Sequence, residues 1–231
     1  MEAGRPDCTD EEKLRIIKEY GATRISINPQ TFSDEVLRNI GRRHTAQDIL
    51  DCYRTARRVG HDNINMDLIA GLPGDTVEGF RHSLQTAIDL DPENITVHTL
   101  TLKRASNLVV EHRAADYADV AAMVESCELL EKAGYRPYYL YRQKYMSGSF
   151  ENTGWCRPGY TGLYNIYMME ELHTILSLGG GGMNKINLPE EKLARYHNPK
   201  IPQDYISRID TILQQKDEIF SILRGLRKQN P

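Results

Sequence analysis

The stretch NINMDLIAGLPGDT, Asn63–Thr76, is a short β-rich run that ends in a polar residue and a glycine-proline turn, then enters a helical pattern. RISINPQTF, Arg24–Phe32, has the same grammar one unit earlier. Gln30 and Asp67 therefore stand at or near the carboxyl ends of two strands, where α/β barrels build their sites.

Working outward, the helical and strand patterns alternate. A first helix is expected over Asp10–Tyr20, with Thr9 and Glu12 spaced as a capping box and Gly21 as its stop. A strand follows over Arg24–Asn28, ended by Pro29. Ser33 caps a short helix, Asp34–Ile40, and Thr45 with Asp48 opens another that reaches Val59 before Gly60. Ile64–Ile69 reads as a strand with both faces covered, Thr76 caps a helix to Leu90, and Ile95–Leu102 is a further strand. Spacings of about 30–40 residues between strands are those of βαβ units in a parallel sheet. Glu2–Gly4 is the stub of one more strand.

The pattern changes after Lys103. Ala114–Lys132 is an amphipathic helix, Tyr135–Tyr145 a tyrosine-rich strand, and Ser147–Gly162 a loop. Tyr164–Met169 and His173–Leu178 resemble strands, and residues 203–229 form one or two polar helices. The expected division is 1–110 and 111–231.

Composition narrows the function. A net charge of −3 is not the basic balance of a nucleic-acid binder. No apolar run approaches the roughly 18 residues of a membrane span, and the start has no signal-peptide pattern, so a cytoplasmic protein without membrane insertion is expected. Cys8, Cys52, Cys127 and Cys156 are scattered and form no metal-ligand spacing.

Four features carry candidate chemistry. They are the paired strand ends at Gln30 and Asp67, either turn caps or the rim of a pocket; the arginines Arg42 and Arg43, either solvated at a helix boundary or gripping a carboxylate with their forks; the run Gly179–Gly182; and the tyrosines Tyr138, Tyr139, Tyr141 and Tyr145 with Trp155. The glycines are either a flexible turn or a backbone approached closely by a bulky ligand. The aromatics are either core or the lining of a site for a planar molecule.

The blocks GATRISINPQTFSDEVLRNIGRRHT, DNINMDLIAGLPGDTVEGF, NTGWCRPGYTGLYNIYMMEELHTILSLGGGGMNK and NPKIPQDYI resemble the radical S-adenosylmethionine (SAM) enzymes of the oxygen-independent coproporphyrinogen III oxidase/dehydrogenase family, in its HemZ-like branch. The resemblance implies an α/β fold, the C-terminal part of a partial (β/α)6 TIM-like barrel followed by a small α+β domain. It implies a [4Fe–4S] cluster that reduces S-adenosylmethionine, with an electron donor. The resulting radical turns propionates of a tetrapyrrole substrate into vinyl groups in haem biosynthesis. A haem chaperone of the same superfamily is the alternative, with His98 and His173 as haem ligands or as ordinary structural histidines. By position, the resemblance assigns S-adenosylmethionine contacts to Glu2, Gln30, Arg42 (or Arg43), Asp67, Thr101 and Met183, the last two through backbone atoms. It assigns no catalytic residue.

Two family features are not in this sequence: the C-x-x-x-C-x-x-C loop that holds the cluster, and the Gly-Gly-Thr segment of the second strand. The expectation is an amino-terminally truncated enzyme that carries no metal ligands, does not turn over alone, and has an open sheet edge.

Overall fold

The computed structural model describes residues 1–100, 117–141, 150–189 and 192–229. The chain divides into two compact units, Met1–Gly162 and Leu163–Pro231. The boundary expected at 110/111 falls inside the first of them.

The first unit is built on one six-stranded sheet of order β1-β2-β3-β4-β6-β5. Its strands are β1 (Glu2–Gly4), β2 (Ile25–Gln30), β3 (Ile64–Ala70), β4 (Asn94–Thr99), β5 (Arg136–Tyr141) and β6 (Asn152–Cys156). The first four are parallel; β6 runs antiparallel to β4 and to β5. The sheet is open, with β1 on one edge, and no closed barrel forms among the described residues.

Crossover helices cover one face. They are α1 (Glu11–Glu19), α2 (Asp34–Asn39), α3 (Ala46–Val59) and α4 (Val77–Asp89). Capping residues set three of the starts. Ser33 accepts from Val36 N, Thr45 and Asp48 form a reciprocal box, and Thr76 accepts from Gly79 N. The start of α1 differs from expectation: Asp10 is the cap, accepting from Lys13 N. Thr9 instead turns its hydroxyl to the Ala3 and Arg5 carbonyls. The amphipathic segment after β4 is two helices, α5 (Tyr117–Glu125) and α6 (Glu128–Lys132), rather than one.

Every second residue of the central strands is aliphatic and buried. Ile25, Ile27, Ile64, Met66, Leu68, Ile95 and Val97 meet Leu14, Leu37, Ile49, Phe80, Leu84 and Leu130 in one core. The intervening positions are Ser26, Asn28, Asn65, Asp67, Thr96 and His98. Successive strand side chains face opposite ways, so the sheet has one apolar and one polar face. The expectation that β3 is apolar on both faces is corrected by this alternation.

Two more elements differ from the sequence reading. β2 runs through Pro29 to Gln30, which pairs with Leu68, and a register shift between Ile27 and Gln30 takes up the missing proline donor. The presumed loop 147–162 contains β6, which carries Gly154 and Trp155 into the sheet.

The second unit contains α7 (Leu163–Met169), the hairpin β7 (Met183–Leu188) and β8 (Lys192–His197), then α8 (Pro202–Ser207) and α9 (Ile209–Gln229). Tyr164–Met169 is thus helical, not a strand. Of His173–Leu178, only Ile175 forms a bridge, to Lys185. In α9 the Lys216 Nζ donates to the Ser177 carbonyl and to Asn184 Oδ1.

Candidate functional site

Glu2 and Asp67, two of the six expected residues, lie on the polar face of the sheet. Glu2 on β1 accepts from Asn28 Nδ2 of β2 at 3.0 Å. Asn28 Oδ1 is buried without a hydrogen-bond partner among the described residues. On β3, Asp67 Oδ1 accepts from Asn65 Nδ2 at 2.7 Å and lies 3.8 Å from His98 Nε2 of β4. Asn65 reaches both neighbouring strands: Nδ2 lies 3.4 Å from Ser26 Oγ, and Oδ1 accepts from Thr96 Oγ1 at 2.9 Å.

Tyr139 extends this network from β5. In register, Thr96, Gly154 and Tyr139 form one row across β4, β6 and β5. The Tyr139 ring lies over Gly154, in space that any Cβ there would occupy, and its hydroxyl bonds Thr96. Burial raises the Tyr139 phenol well above its ordinary range, and the neighbouring Tyr138 adds to the effect. Tyr139 and Tyr141 stack with centroids 6.2 Å apart.

Gln30, nearly buried, closes β2 with a φ of 70°, a left-handed conformation uncommon outside glycine. Its partner in register is Leu68, the residue after Asp67. Glu2, Gln30 and Asp67 therefore stand on three adjacent strands.

Arg42 sits elsewhere, in the connection between α2 and α3. Burial lowers its basicity, and its charged neighbours are Arg5 and Asp7. Arg5 pairs with Asp7 and holds that carboxyl down at about 2. His44 is buried beside them, with Nδ1 3.5 Å from Asp7 Oδ1. Asp75, in the turn after β3, is raised by burial to about 6, against the opposing pull of the Thr76 amide.

Thr101 lies outside the described residues, two positions beyond the end of β4. Met183 opens β7 in the second unit, partly buried and paired with His197. The glycine run beside it is consumed by its own hairpin. Gly181 N donates to Pro199 O at 2.7 Å, and Asn198 Nδ2 donates to Gly179 O at 2.8 Å. A Cβ on Gly182 would stand 2.9 Å from Ser177 Cβ.

The sequence reading missed Ser26, Asn28, Asn65 and Thr96. It gave His98 the roles of a haem ligand or an ordinary structural histidine, and Tyr139 only a place among the aromatics. A legible signal existed: polar residues two apart, flanked by aliphatics, in three successive strands.

A hollow of about 340 Å³ beside the 3-10 turn Pro6–Cys8 is lined by Asp7, Asp10, Glu11, Asp48 and Asp51. Its carboxylates disfavour an anionic ligand group. The sheet's polar face instead combines carboxylates, amides, hydroxyls and an imidazole.

Residues 2–87 match the model of the radical SAM superfamily. The chain is 44% identical over 221 residues to the oxygen-independent coproporphyrinogen-III oxidase-like protein HemZ of Bacillus subtilis, covering 94% of this chain and 44% of that protein. The radical SAM likeness thus covers residues 2–87, and the likeness to the HemZ protein nearly the whole chain.

A second relative, the heme chaperone HemW of B. subtilis, is 43% identical over 98 residues, 42% of this chain and 26% of that protein. Among solved structures, coproporphyrinogen III oxidase (HemN) from Escherichia coli superposes with a TM-score of 0.67 at 19% identity, covering 91% of this chain and 48% of that one. That likeness establishes a shared fold. The chain spans about half the length of these full-length proteins, or less.

Radical SAM chemistry uses S-adenosylmethionine and a [4Fe–4S] cluster. The polar face fits the first: its donor set suits hydroxyls and an amino group, and Asn28 Oδ1 is an acceptor with no donor among the described residues. The residues do not fit the second. Cys8 is exposed, and Cys52, Cys127 and Cys156 are buried and separate. Among the described residues, no group of three or more His, Cys, Asp or Glu side chains is placed to hold a metal ion. No helix among them is long and apolar enough to cross a membrane.

Proposed function

We propose that the polar face of the sheet binds S-adenosylmethionine, as this chain's contribution to radical SAM chemistry on a tetrapyrrole. The observation that carries the reading is the polar set Glu2, Asn28 and Asp67 on three adjacent parallel strands, with Asn28 bonded to Glu2 and Gln30 closing β2 in its left-handed conformation.

In this reading Asp67 and Glu2 accept from hydroxyl and amino groups, and Gln30 supplies an amide. Arg42, in the connection between α2 and α3, is the cation assigned to the carboxylate end. Bound there, the nucleoside supplies the deoxyadenosyl group that the superfamily uses to take hydrogen from a substrate. The four cysteines do not converge, so binding and orientation are what this chain's own residues provide.

The named likeness to the HemZ protein supports a coproporphyrinogen-type substrate, whose propionates become vinyl groups by oxidative decarboxylation. The likeness to the HemW chaperone supports a second reading, haem binding without turnover.

The test is calorimetric titration of the chain with S-adenosylmethionine. Asp67→Ala removes an acceptor that is charged, a hydrogen bond worth about 1.5–3 kcal/mol, so affinity falls about tenfold or more. A wild-type chain that binds no S-adenosylmethionine, or an Asp67→Ala chain that binds it as tightly, refutes the proposal. Parallel titrations with coproporphyrin and with haem separate the substrate readings: preference for coproporphyrin supports the first, tight haem binding alone the second.

A further inference from the structure

We infer that Asn65 is the positioning residue of this face: its side-chain amide clasps Asp67 in the orientation that receives the ligand. The inference rests on the nucleoside-binding reading above and adds a residue to it.

Asn65 is 3% exposed, and its side chain is tied on every side. The Asp67 carboxylate only accepts, so the amide nitrogen must face it. This turns Oδ1 toward Thr96, whose hydroxyl donates to it. Only one amide orientation meets both demands. Thr96 is in turn bonded by Tyr139, so the amide is anchored through β4 to β5, and through Ser26 to β2.

The clasp takes Asp67 Oδ1. No hydrogen bond to Oδ2 occurs among the described residues, so the second oxygen is left for a ligand hydroxyl. Asn65 and Asp67 stand two apart on one strand and so share a face. A carboxylate held this way has less rotamer freedom to lose on binding.

Two substitutions separate positioning from space-filling. Asn65→Leu keeps the volume and loses the donor. Asn65→Asp places a second carboxylate against the first, and such a pair holds a shared proton as pH falls. That proton restores the clasp; its loss turns attraction into repulsion. The titratable groups facing the pair are His98 from β4 and Tyr139 from β5, and Glu2 is engaged by Asn28; all are present in the wild-type control.

Titration with S-adenosylmethionine from about pH 5 to 8 should show Asn65→Leu weakened about tenfold throughout, the loss of one charged hydrogen bond. Asn65→Asp should approach wild type at the acid end and fall about tenfold below it at the alkaline end. Wild-type affinity in both variants, or equal weakening in both without pH dependence, overturns the inference. A second readout needs no ligand: the Asn65 side-chain amide protons in nitrogen-edited NMR. They should exchange slowly with solvent, and faster in Asp67→Ala. If the wild-type chain binds no S-adenosylmethionine, the functional reading fails alone, and this signal decides the clasp: slow, Asp67-dependent exchange supports it, and fast exchange overturns it.

Discussion

Gly154→Ala is a one-carbon perturbation with a large expected effect, because the Tyr139 ring occupies the space a side chain would need. The added Cβ would fall inside contact distance of the Tyr139 Cδ1 and Cε1 atoms and 2.9 Å from Cζ. The backbone of Gly154 lies outside the left-handed region, so alanine meets no intrinsic strain there. The cost is that of displacing the ring. Overpacking a well-filled site costs about 1–3 kcal/mol, and losing the Tyr139–Thr96 hydrogen bond adds about 1 kcal/mol. Alanine returns about 0.4–1 kcal/mol by restricting the unfolded chain. The net is about 1–3.5 kcal/mol of destabilisation, or some 2–14 °C in Tm for a chain of this size. Trp155 is the only tryptophan, lies in the adjacent residue of β6, and is 8% exposed. Its fluorescence in a urea titration therefore reports on this sheet. In a Tyr139→Ala background the obstacle is gone, and Gly154→Ala should become neutral or stabilising. That change of sign is a coupling between the two positions. A single substitution costing under about 0.5 kcal/mol, or an equal cost in both backgrounds, would show that the ring does not cross β6, and the polar network would lose its β5 anchor.

Two shorter predictions concern groups around the strand ends. Asp75 has a folded-state pKa of about 6 against an ordinary value of 3.8. The folded protein thus holds a proton there that the unfolded chain has released, and this contribution to stability is full below about 4 and lost as pH rises through about 6. Asp75→Asn keeps an acceptor for Thr76 N and should flatten that decline; urea midpoints at acid and neutral pH check it, and an unchanged slope would count against a buried carboxyl. Asn152, 1% exposed, accepts from Thr99 N at 2.8 Å through Oδ1. Asn152→Ala strands that amide and should cost about 1–3 kcal/mol, read by the same fluorescence; a loss below 0.5 kcal/mol or so would mean that water replaces the bond.

The parallel half of the sheet was legible because its helices begin with local chemistry. Ser33, Thr45 and Thr76 cap helices through atoms within three residues, and no tertiary context is needed to find them. What failed depended on partners distant in sequence. Pro29 reads as a strand end, yet pairing resumes at Gln30 because a register shift spares the missing donor. Asn152–Cys156 is five residues with a glycine at its centre, and it becomes a strand only between β4 and β5. Tyr164–Met169 is rich in aromatic and β-branched residues and still forms α7. For the site, Gln30 closes β2 as the βα pattern implies, whereas Asp67 lies midway along β3, three residues before its end. Asn65 was not legible, because its role comes from touching three strands at once. Arg42 followed from the resemblance alone, and its neighbours are Arg5 and Asp7 rather than Asp67.

The two faces of this sheet obey different constraints, and the difference argues for a ligand. A face selected for stability alone would be aliphatic, since burying an amide or carboxylate gains little even when it is well bonded. Here Ser26, Asn65 and Thr96 are each 5% exposed or less, on the same strands that bury Ile25, Met66 and Ile95 completely on the other side. Their hydrogen bonds satisfy one another but leave Asn28 Oδ1 buried and unpaired among the described residues. A network closed on itself would have used that oxygen. One that ends, among the described residues, in an open acceptor and in a carboxylate with one oxygen held and one not engaged is organised toward something outside the protein.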